Sequence, residues 1–198
     1  MGGQSLKVSM QCTRAVFLTL AVLSLFGCVT VGGREVRTML DPATAVTATM
    51  LPSALEFTSN TLTVEPAARI DAQIGPVEVN RSGVYYYLLW VSAERADHRG
   101  ERRAPSVRIL DGNRVLLERL AKDALGAAPL SIVPYSTDLD PSSQYTYELS
   151  EADLRALKID GRLGLSVSFD DSTWHLLDRW EGASENFNQL IASAFPAQ

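Results

Sequence analysis

Short segments that alternate apolar and polar residues, separated by turn-forming residues, fill most of the chain from residue 45 onward. Such period-two alternation is typical of half-buried β-strands. The strongest segment, 83–95 (GVYYYLLWVSAER), is instead apolar on both faces and rich in aromatic and β-branched residues. This composition predicts a strand at the centre of a sheet. The other predicted strands are 45–50, 54–64, 68–79, 107–110, 114–120, 144–150, 162–169 and 173–180.

Turn signals separate several of these strands. Asp111-Gly112-Asn113 lies between two apolar runs, which is a strong indication of a β-hairpin. Asn80 to Gly83 has turn chemistry and precedes the central strand. Gly75-Pro76 interrupts the segment 68–79 and predicts a bulge or a kink at a sheet edge.

Two short helices are predicted among the strands. Ser150 precedes an acidic first turn and can cap a helix over about 151–158, because its side chain accepts a bond from an exposed backbone N–H. Apolar residues at helical spacing in 184–195 predict a short C-terminal helix. The fold class is therefore mainly β: an immunoglobulin-like β-sandwich with a short helical crossover near 151–158 and a short C-terminal helix. A small α+β fold is the alternative.

Aromatic residues cluster in the central strand. Tyr85 and Tyr87 fall on one face and Tyr86 on the other, so at least one face belongs to the core. We predict that these tyrosines and Trp90 are core residues, with a partner or carbohydrate surface as the alternative. The same reasoning applies to Tyr135, Trp174 and Trp180.

The start of the chain has the layout of a secretory signal peptide. Lys7 and Arg14 give it a positive charge without any acidic residue, and residues 15–26 form an uncharged apolar run. That run has about a dozen residues, whereas a helix needs roughly 20 to span a bilayer core. A permanent transmembrane anchor is therefore the weaker interpretation.

This segment ends in Leu25-Phe26-Gly27-Cys28. The tetrad resembles the lipobox of bacterial lipoproteins, although Phe26 is larger than the residue usual at its position. The resemblance implies cleavage between Gly27 and Cys28, a diacylglyceryl group on the Cys28 thiol and acylation of the new amino terminus. Val29 follows where an aspartate would signal retention in the inner membrane, which resembles an outer-membrane lipoprotein facing the periplasm.

The resulting division is a signal peptide over 1–27, a lipid-anchored tether over 28–43 and a β-rich domain over 44–198. Cys12 lies in the removed segment and Cys28 would carry lipid, so no cysteine remains for a disulfide or a thiolate site. The net charge is −5, and basic residues cluster only in 99–103. An acidic chain without a basic stripe does not favour nucleic-acid binding.

Catalytic motifs are sparse. The two histidines are His98, in a polar loop, and His175, in a predicted strand with Asp170, Asp171 and Asp178 nearby in sequence. A nucleophile–histidine–acid arrangement would use His175, but no G-x-S-x-G elbow supplies a strained nucleophile.

Metal and cofactor motifs are equally sparse. Residues 138–143 (DLDPSS) place two carboxylates in a turn but lack the glycine and closing glutamate of an EF-hand. Neither a phosphate-binding loop nor a dinucleotide fingerprint is present. We predict no metal site and no cofactor.

The sequence therefore predicts a membrane-anchored, non-catalytic accessory or assembly component of the bacterial cell envelope. Its expected partners are the membrane, through acyl chains on Cys28, and an envelope protein. A periplasmic ligand- or glycan-binding lipoprotein is the alternative, and a hydrolase using His175 is the third hypothesis. An assembly component should expose an apolar patch or an open sheet edge, whereas a ligand receptor should carry exposed aromatics on a concave face.

Overall fold

The computed structural model describes residues 36–59, 68–98, 103–125 and 130–179, together with 187, 188 and 191. The predicted signal peptide, the lipobox and Trp180 lie outside these residues. Within them the chain forms eleven strands and the α-helix α1. Their bounds are β1 (Arg37–Asp41), β2 (Val46–Met50), β3 (Leu55–Ser59), β4 (Ile70–Arg81), β5 (Val84–Arg95), β6 (Ser106–Asp111), β7 (Arg114–Arg119), β8 (Ala124–Leu125), β9 (Gln144–Leu149), α1 (Glu151–Ala156), β10 (Leu163–Ser168) and β11 (His175–Arg179).

The strands join in the order β7-β6-β10-β11-β3-β4-β5-β9-β8, and β1 and β2 branch from β4. All strand pairings among the described residues are antiparallel. The twelve-residue strands β4 and β5 pair along their whole length and form the spine of the sheet. The prediction of a mainly β fold, a β-sandwich with a short helix, is confirmed.

One apolar core lies between the inner faces of the sheet. In β4 the predicted alternation is confirmed, because Ile70, Ala72 and Ile74 are buried while Asp71 and Gln73 are partly exposed. Tyr147 from β9 and Leu117 from β7 belong to the same cluster, although these strands are far apart in the strand order. Burying apolar side chains from so many strands is the main source of stability for a fold of this kind.

Strand β1 shows that the folded domain begins earlier than predicted. It pairs with β2 from Arg37↔Met50 to Asp41↔Val46, yet it lies within the segment 28–43 that we predicted as a tether. The strand escaped detection because four of its five residues are exposed or only partly buried, so it lacks an apolar run. The compact unit starts at Val36 instead of residue 44.

Local signals in the sequence predicted two hairpin turns and the helix α1 correctly. Gly112 adopts a positive φ in the β6–β7 turn, and Ser82 and Gly83 both do so between β4 and β5, as a type I′ hairpin requires. At α1, the Ser150 side chain accepts a bond from the Asp153 N–H, and the Asp153 carboxylate accepts from the Ser150 N–H. This reciprocal capping box satisfies two backbone donors at the start of the helix.

The C-terminal segment is described at three positions, all of them helical. Phe187 is fully buried in the core. The Asn188 side chain donates to the Ile159 carbonyl at 2.6 Å and accepts from the Ile159 N–H at 2.9 Å. In the described part of the chain, no helix combines the length and apolarity that a membrane crossing demands.

Gly75 and Pro76 do not form the predicted bulge, because β4 keeps a continuous register with β5 through both residues. The edge of β4 that faces away from β5 explains their position. Along that edge β3 pairs with β4 as far as Ile74, and β2 pairs with β4 only from Val77 onward, so a gap lies between the two strands. Proline has no N–H to donate, and it occupies the gap where neither strand requires one.

Tyr135 fills this gap from a distant part of the sequence. Its hydroxyl donates to the Pro76 carbonyl at 2.7 Å and accepts from the Leu51 N–H at 3.2 Å. The ring lies so close to Gly75 that a Cβ there would be 2.2 Å from Cε2 of Tyr135. Its centroid is 5.2 Å from that of Trp90. Tyr135 and Trp90 are both 2% exposed, so the prediction that they belong to the core is confirmed.

Tyr135→Phe should destabilise the fold, because a buried carbonyl and a buried N–H lose their partner while the ring is kept. A buried polar group left unpaired costs about 1–3 kcal/mol. Urea unfolding followed by tryptophan fluorescence measures the change in the free energy of unfolding. Tyr85→Phe is the matched control, since Tyr85 is exposed and the same change should have almost no effect there. Equal stabilities of the two variants would contradict the role of the Tyr135 hydroxyl.

Candidate functional site

The end of the β4–β5 hairpin extends past β9 on the β5 side, whereas β2 flanks β4 as far as Asn80. All residues from Arg81 to Tyr86, here called the hairpin tip, are exposed. Three of them are large and apolar: Val84 is 54% exposed, Tyr85 52% and Tyr86 43%. The prediction that these tyrosines are core residues is therefore wrong for Tyr85 and Tyr86.

The hairpin tip also has an unpaired strand edge. Strand β9 begins to pair with β5 only at Tyr87↔Leu149, and the chain then turns into α1. Among the described strands, residues 84–86 pair with β4 alone. Their outward backbone groups can therefore accept a further strand, and successive side chains flank that edge on both faces.

A pair of partly buried ionisable groups lies at the base of the tip. Glu78 and Tyr87 face each other across β4 and β5. Burial raises the pKa of the Glu78 carboxyl. Burial, together with the nearby negative charge of Glu78, raises the pKa of Tyr87. The next pair along the hairpin, Val77 and Leu88, is buried in the core.

A cavity of about 160 Å³ lies at the opposite end of the sandwich, where β5 and β10 end and β9 and β11 begin. His175 lines it, and so do Asp170, Ser142 and Ser143. The other described lining residues are Ala93, Glu94, Arg95, Arg103, Asp140 and Phe169. The structure therefore brings one predicted histidine and one predicted aspartate into a common cavity.

The aspartates near His175 are bonded to other groups of the protein. Asp170 Oδ1 accepts from the Ser168 hydroxyl at 3.0 Å and from the Ser172 and Thr173 N–H groups at 2.9 and 2.7 Å. These bonds hold the pKa of Asp170 well below its ordinary value. Asp171 accepts from the Ser106 hydroxyl, and Asp178 lies 3.8 Å from Arg162.

The Ser143 hydroxyl is bonded to groups other than His175. It is buried, donates to the Asp140 carbonyl at 2.6 Å and contacts the Ser92 hydroxyl at 2.9 Å. The His175 backbone carbonyl accepts from the Ser166 hydroxyl at 3.1 Å. Among the described residues, these bonds do not join a serine hydroxyl to the His175 side chain, as a catalytic triad would.

The other candidates from the sequence have local roles. In the segment 138–143, Asp140 caps a 3₁₀ turn over Pro141–Ser143 by accepting from the Ser142 N–H. His98 ends the 3₁₀ turn Ala96–His98. Within the described ranges, no three histidine, cysteine or acidic residues are placed to hold a metal ion. Trp174 is partly exposed and carries the Arg108 guanidinium 3.7 Å from its ring centroid.

An irregular segment over 130–143, here called the strap, connects the two ends of the molecule. Near the start of the strap, Ser131 bonds the buried carboxylate of Asp41 at the end of β1. The Ser131 N–H donates to this carboxylate at 2.7 Å, and the Ser131 hydroxyl donates to it as well. Tyr135 fixes the middle of the strap, and Asp140 N–H donates to Glu94 at the cavity. One strap thus forms a wall of the cavity and fastens β1 to the sheet.

Asp41→Asn should make stability less dependent on acid. Hydrogen bonds from Ser131, Thr44 and Ala43 hold the pKa of Asp41 well below its ordinary value of 3.8. Because the folded-state pKa is depressed, this carboxylate stabilises the fold above the unfolded pKa, and the gain is lost as the pH falls below it. We therefore expect the free energy of unfolding to fall below about pH 4, and to fall less in Asp41→Asn.

Urea unfolding at several pH values measures this difference. The fall should be reduced instead of abolished, because Asp170 has a similarly lowered pKa. Asp138→Asn is the control, since Asp138 lies on the same strap with an exposed side chain. An unchanged acid dependence in Asp41→Asn would contradict the assigned role.

No family model, no curated protein and no solved structure matches this chain. The geometry of the described residues offers two candidate sites, the hairpin tip and the cavity. Of these, sequence reasoning identified His175 and Asp170 but assigned Tyr85 and Tyr86 to the core and missed Arg95. The signal for the tip was the combination of the turn at Asn80–Gly83 with aromatics directly after it.

Proposed function

We propose that this chain is a lipid-anchored, non-catalytic accessory or assembly component of the bacterial cell envelope, and that the hairpin tip binds its protein partner. The observation that carries the proposal is the exposure of Val84, Tyr85 and Tyr86 beside an unpaired edge of β5. Exposed apolar groups beside an open strand edge are costly for a protein to leave uncovered, which favours a partner that covers them.

The anchor follows from the resemblance of Leu25-Phe26-Gly27-Cys28 to a lipobox. Acyl chains on Cys28 would hold the domain at the membrane, in the arrangement of an outer-membrane lipoprotein facing the periplasm. Two or more chains are needed for stable anchoring, since one chain alone binds only marginally. Confinement to a membrane raises the effective concentration of the tip near other envelope proteins.

The partner fits the tip through its backbone and its apolar side chains. An extended segment that adds to the edge of residues 84–86 would pair with backbone groups of β5. Tyrosine is enriched at protein interfaces because its ring supplies contact area while its hydroxyl finds a polar partner. Tyrosines that become buried when a complex forms are often the residues that dominate its binding energy.

Site-specific photocrosslinking in intact cells tests the proposal. Replacing Tyr85 with p-benzoyl-phenylalanine should give a crosslink to one defined envelope protein upon illumination, because the tip is covered by that partner. Leu176 is the matched control position, being apolar and 63% exposed on β11, outside the tip. The same replacement there should not capture the same protein.

The double variant Tyr85→Ser/Tyr86→Ser adds an independent measurement. Copurification of the crosslinked partner should fall by at least about tenfold, because alanine-type truncation of interface hot spots costs about 2 kcal/mol or more. Thermal stability should change little, since both side chains are exposed. Equal recovery of the partner by this variant and by Leu176→Ser would refute the role of the tip.

A further inference from the structure

The β1–β2 hairpin, residues 36–50, differs from the rest of the chain in its exposed charges. Arg37 is its one exposed charged residue, and its one acidic residue, Asp41, is buried and bonded to Ser131. The exposed turn over 42–45 has the sequence PATA and carries no charge. The chain as a whole is 21% charged and has a net charge of −5. An acidic protein thus presents one hairpin whose exposed surface is free of acids and carries a single positive charge.

One face of this hairpin combines aliphatic side chains with hydroxyl groups. Thr38 and Leu40 are two residues apart on β1, so they project from the same face. Strand β2 adds Thr47 and Thr49 to that face, because the two strands pair through Leu40↔Thr47 and Thr38↔Thr49. Leu40 is 66% exposed, and Val36, directly ahead of β1, is 44% exposed. This surface of Val36, Thr38, Leu40, Thr47 and Thr49, here called the β1 face, has aliphatic area to bury and hydroxyls that bond polar groups.

The surroundings of the β1 face leave it accessible. Among the described strands, β1 pairs with β2 alone, so its other edge is open. On the inner side, Glu78 of β4 lies opposite Thr49 and is partly buried. Asn80 lies opposite Thr47 and leads across to Tyr85 of the hairpin tip. Adjacent strands are about 4.8 Å apart, so Tyr85 is three spacings, or about 14 Å, from Leu40.

The chain between the proposed lipid anchor and β1 is short. Seven residues, 29–35, separate Cys28 from Val36. An extended chain spans at most about 3.5 Å per residue, so the Cα atoms of Cys28 and Val36 lie no more than about 28 Å apart. An acylated Cys28 sits at the bilayer surface, and β1 is the first described strand after it. The tether therefore keeps the β1 face close to lipid.

Charge and tethering both direct this face toward the bilayer. Because the chain has a net negative charge, anionic lipids repel most of its surface, whereas an arginine close to the bilayer is attracted to them. A few aliphatic side chains on a free protein would bind a bilayer weakly. Anchoring makes the contact intramolecular, and the high effective concentration of lipid then populates it without strong affinity.

We propose that the β1 face docks on the bilayer surface, with Val36 and Leu40 at the level of the lipid headgroups and Arg37 beside anionic phosphates. This inference rests on the proposed lipid anchor at Cys28 and goes beyond the protein partner proposed for the hairpin tip. Docking holds the domain in one orientation at the membrane. It also brings Tyr85, about 14 Å from Leu40 along the sheet, to the level at which an envelope protein emerges from the bilayer.

A fluorophore at position 40 tests the docking in vesicles of phosphatidylethanolamine and phosphatidylglycerol that carry the natively processed protein. Leu40→Cys would supply the only free thiol for labelling if Cys12 is removed and Cys28 is acylated. The label should be quenched by nitroxide-bearing lipid, and iodide in the buffer should quench it several-fold less than a label at Leu176→Cys. Leu176 is the matched control, being 63% exposed on β11.

Charge variants of the labelled protein test the role of Arg37. Arg37→Glu should restore iodide quenching at position 40, because an acid beside anionic headgroups is repelled. Arg37→Lys keeps the charge and should retain the protection. Arg155→Glu makes the same charge reversal on the exposed surface of α1 and should leave the quenching at position 40 unchanged.

Three results would overturn the docking, and they separate it from the proposed function. Equal iodide quenching at positions 40 and 176 of an acylated protein would refute the docking and leave the anchor and the hairpin tip standing. A mass without acyl groups would remove the anchor and the docking together. Photocrosslinking from position 40 in intact cells that captures a protein, or a second copy of this chain, would assign the β1 face to that occupant instead of lipid.

Discussion

The gap on one edge of β4 is the constraint on which the rest of the structure depends. Strand β4 pairs with β3 along one half and with β2 along the other, so Gly75 and Pro76 face neither strand. Tyr135 closes the gap with two hydrogen bonds, and Gly75 leaves the space for its ring. Because the gap is closed, β4 can serve two strands and still pair with β5 along its entire length.

The uninterrupted β4–β5 hairpin accounts for both candidate sites. It is longer than its neighbours, so one end extends past β9 and becomes the exposed hairpin tip. Its other end carries Arg95 and Glu94 to the cavity, where the strap brings Asp140 and Ser142 against them. Tyr135, which closes the gap, also fixes the strap that forms one wall of the cavity. Through this residue the fold is linked to both candidate sites.

Local interactions could be predicted from the sequence, and long-range ones could not. The alternation of Ile70 to Ile74 and the Ser150 cap involve neighbouring residues, and the structure confirms them. Tyr135, by contrast, bonds Leu51 across 84 positions, and no local pattern encodes that contact. The exposure of Tyr85 depends on where β9 ends, so an apolar run alone assigned it to the core. Arg95 and Arg103 likewise meet His175 only through the fold.

The membrane anchor is the premise that gives the hairpin tip its proposed role, and the intact mass of the protein extracted from membranes tests it most directly. The account predicts a mass equal to that of a chain beginning at Cys28 plus its acyl groups. A mass without lipid, or one that still includes residues 1–27, would contradict the lipobox interpretation. The envelope role of the tip would then lose its support, whereas the fold and the cavity would stand unchanged.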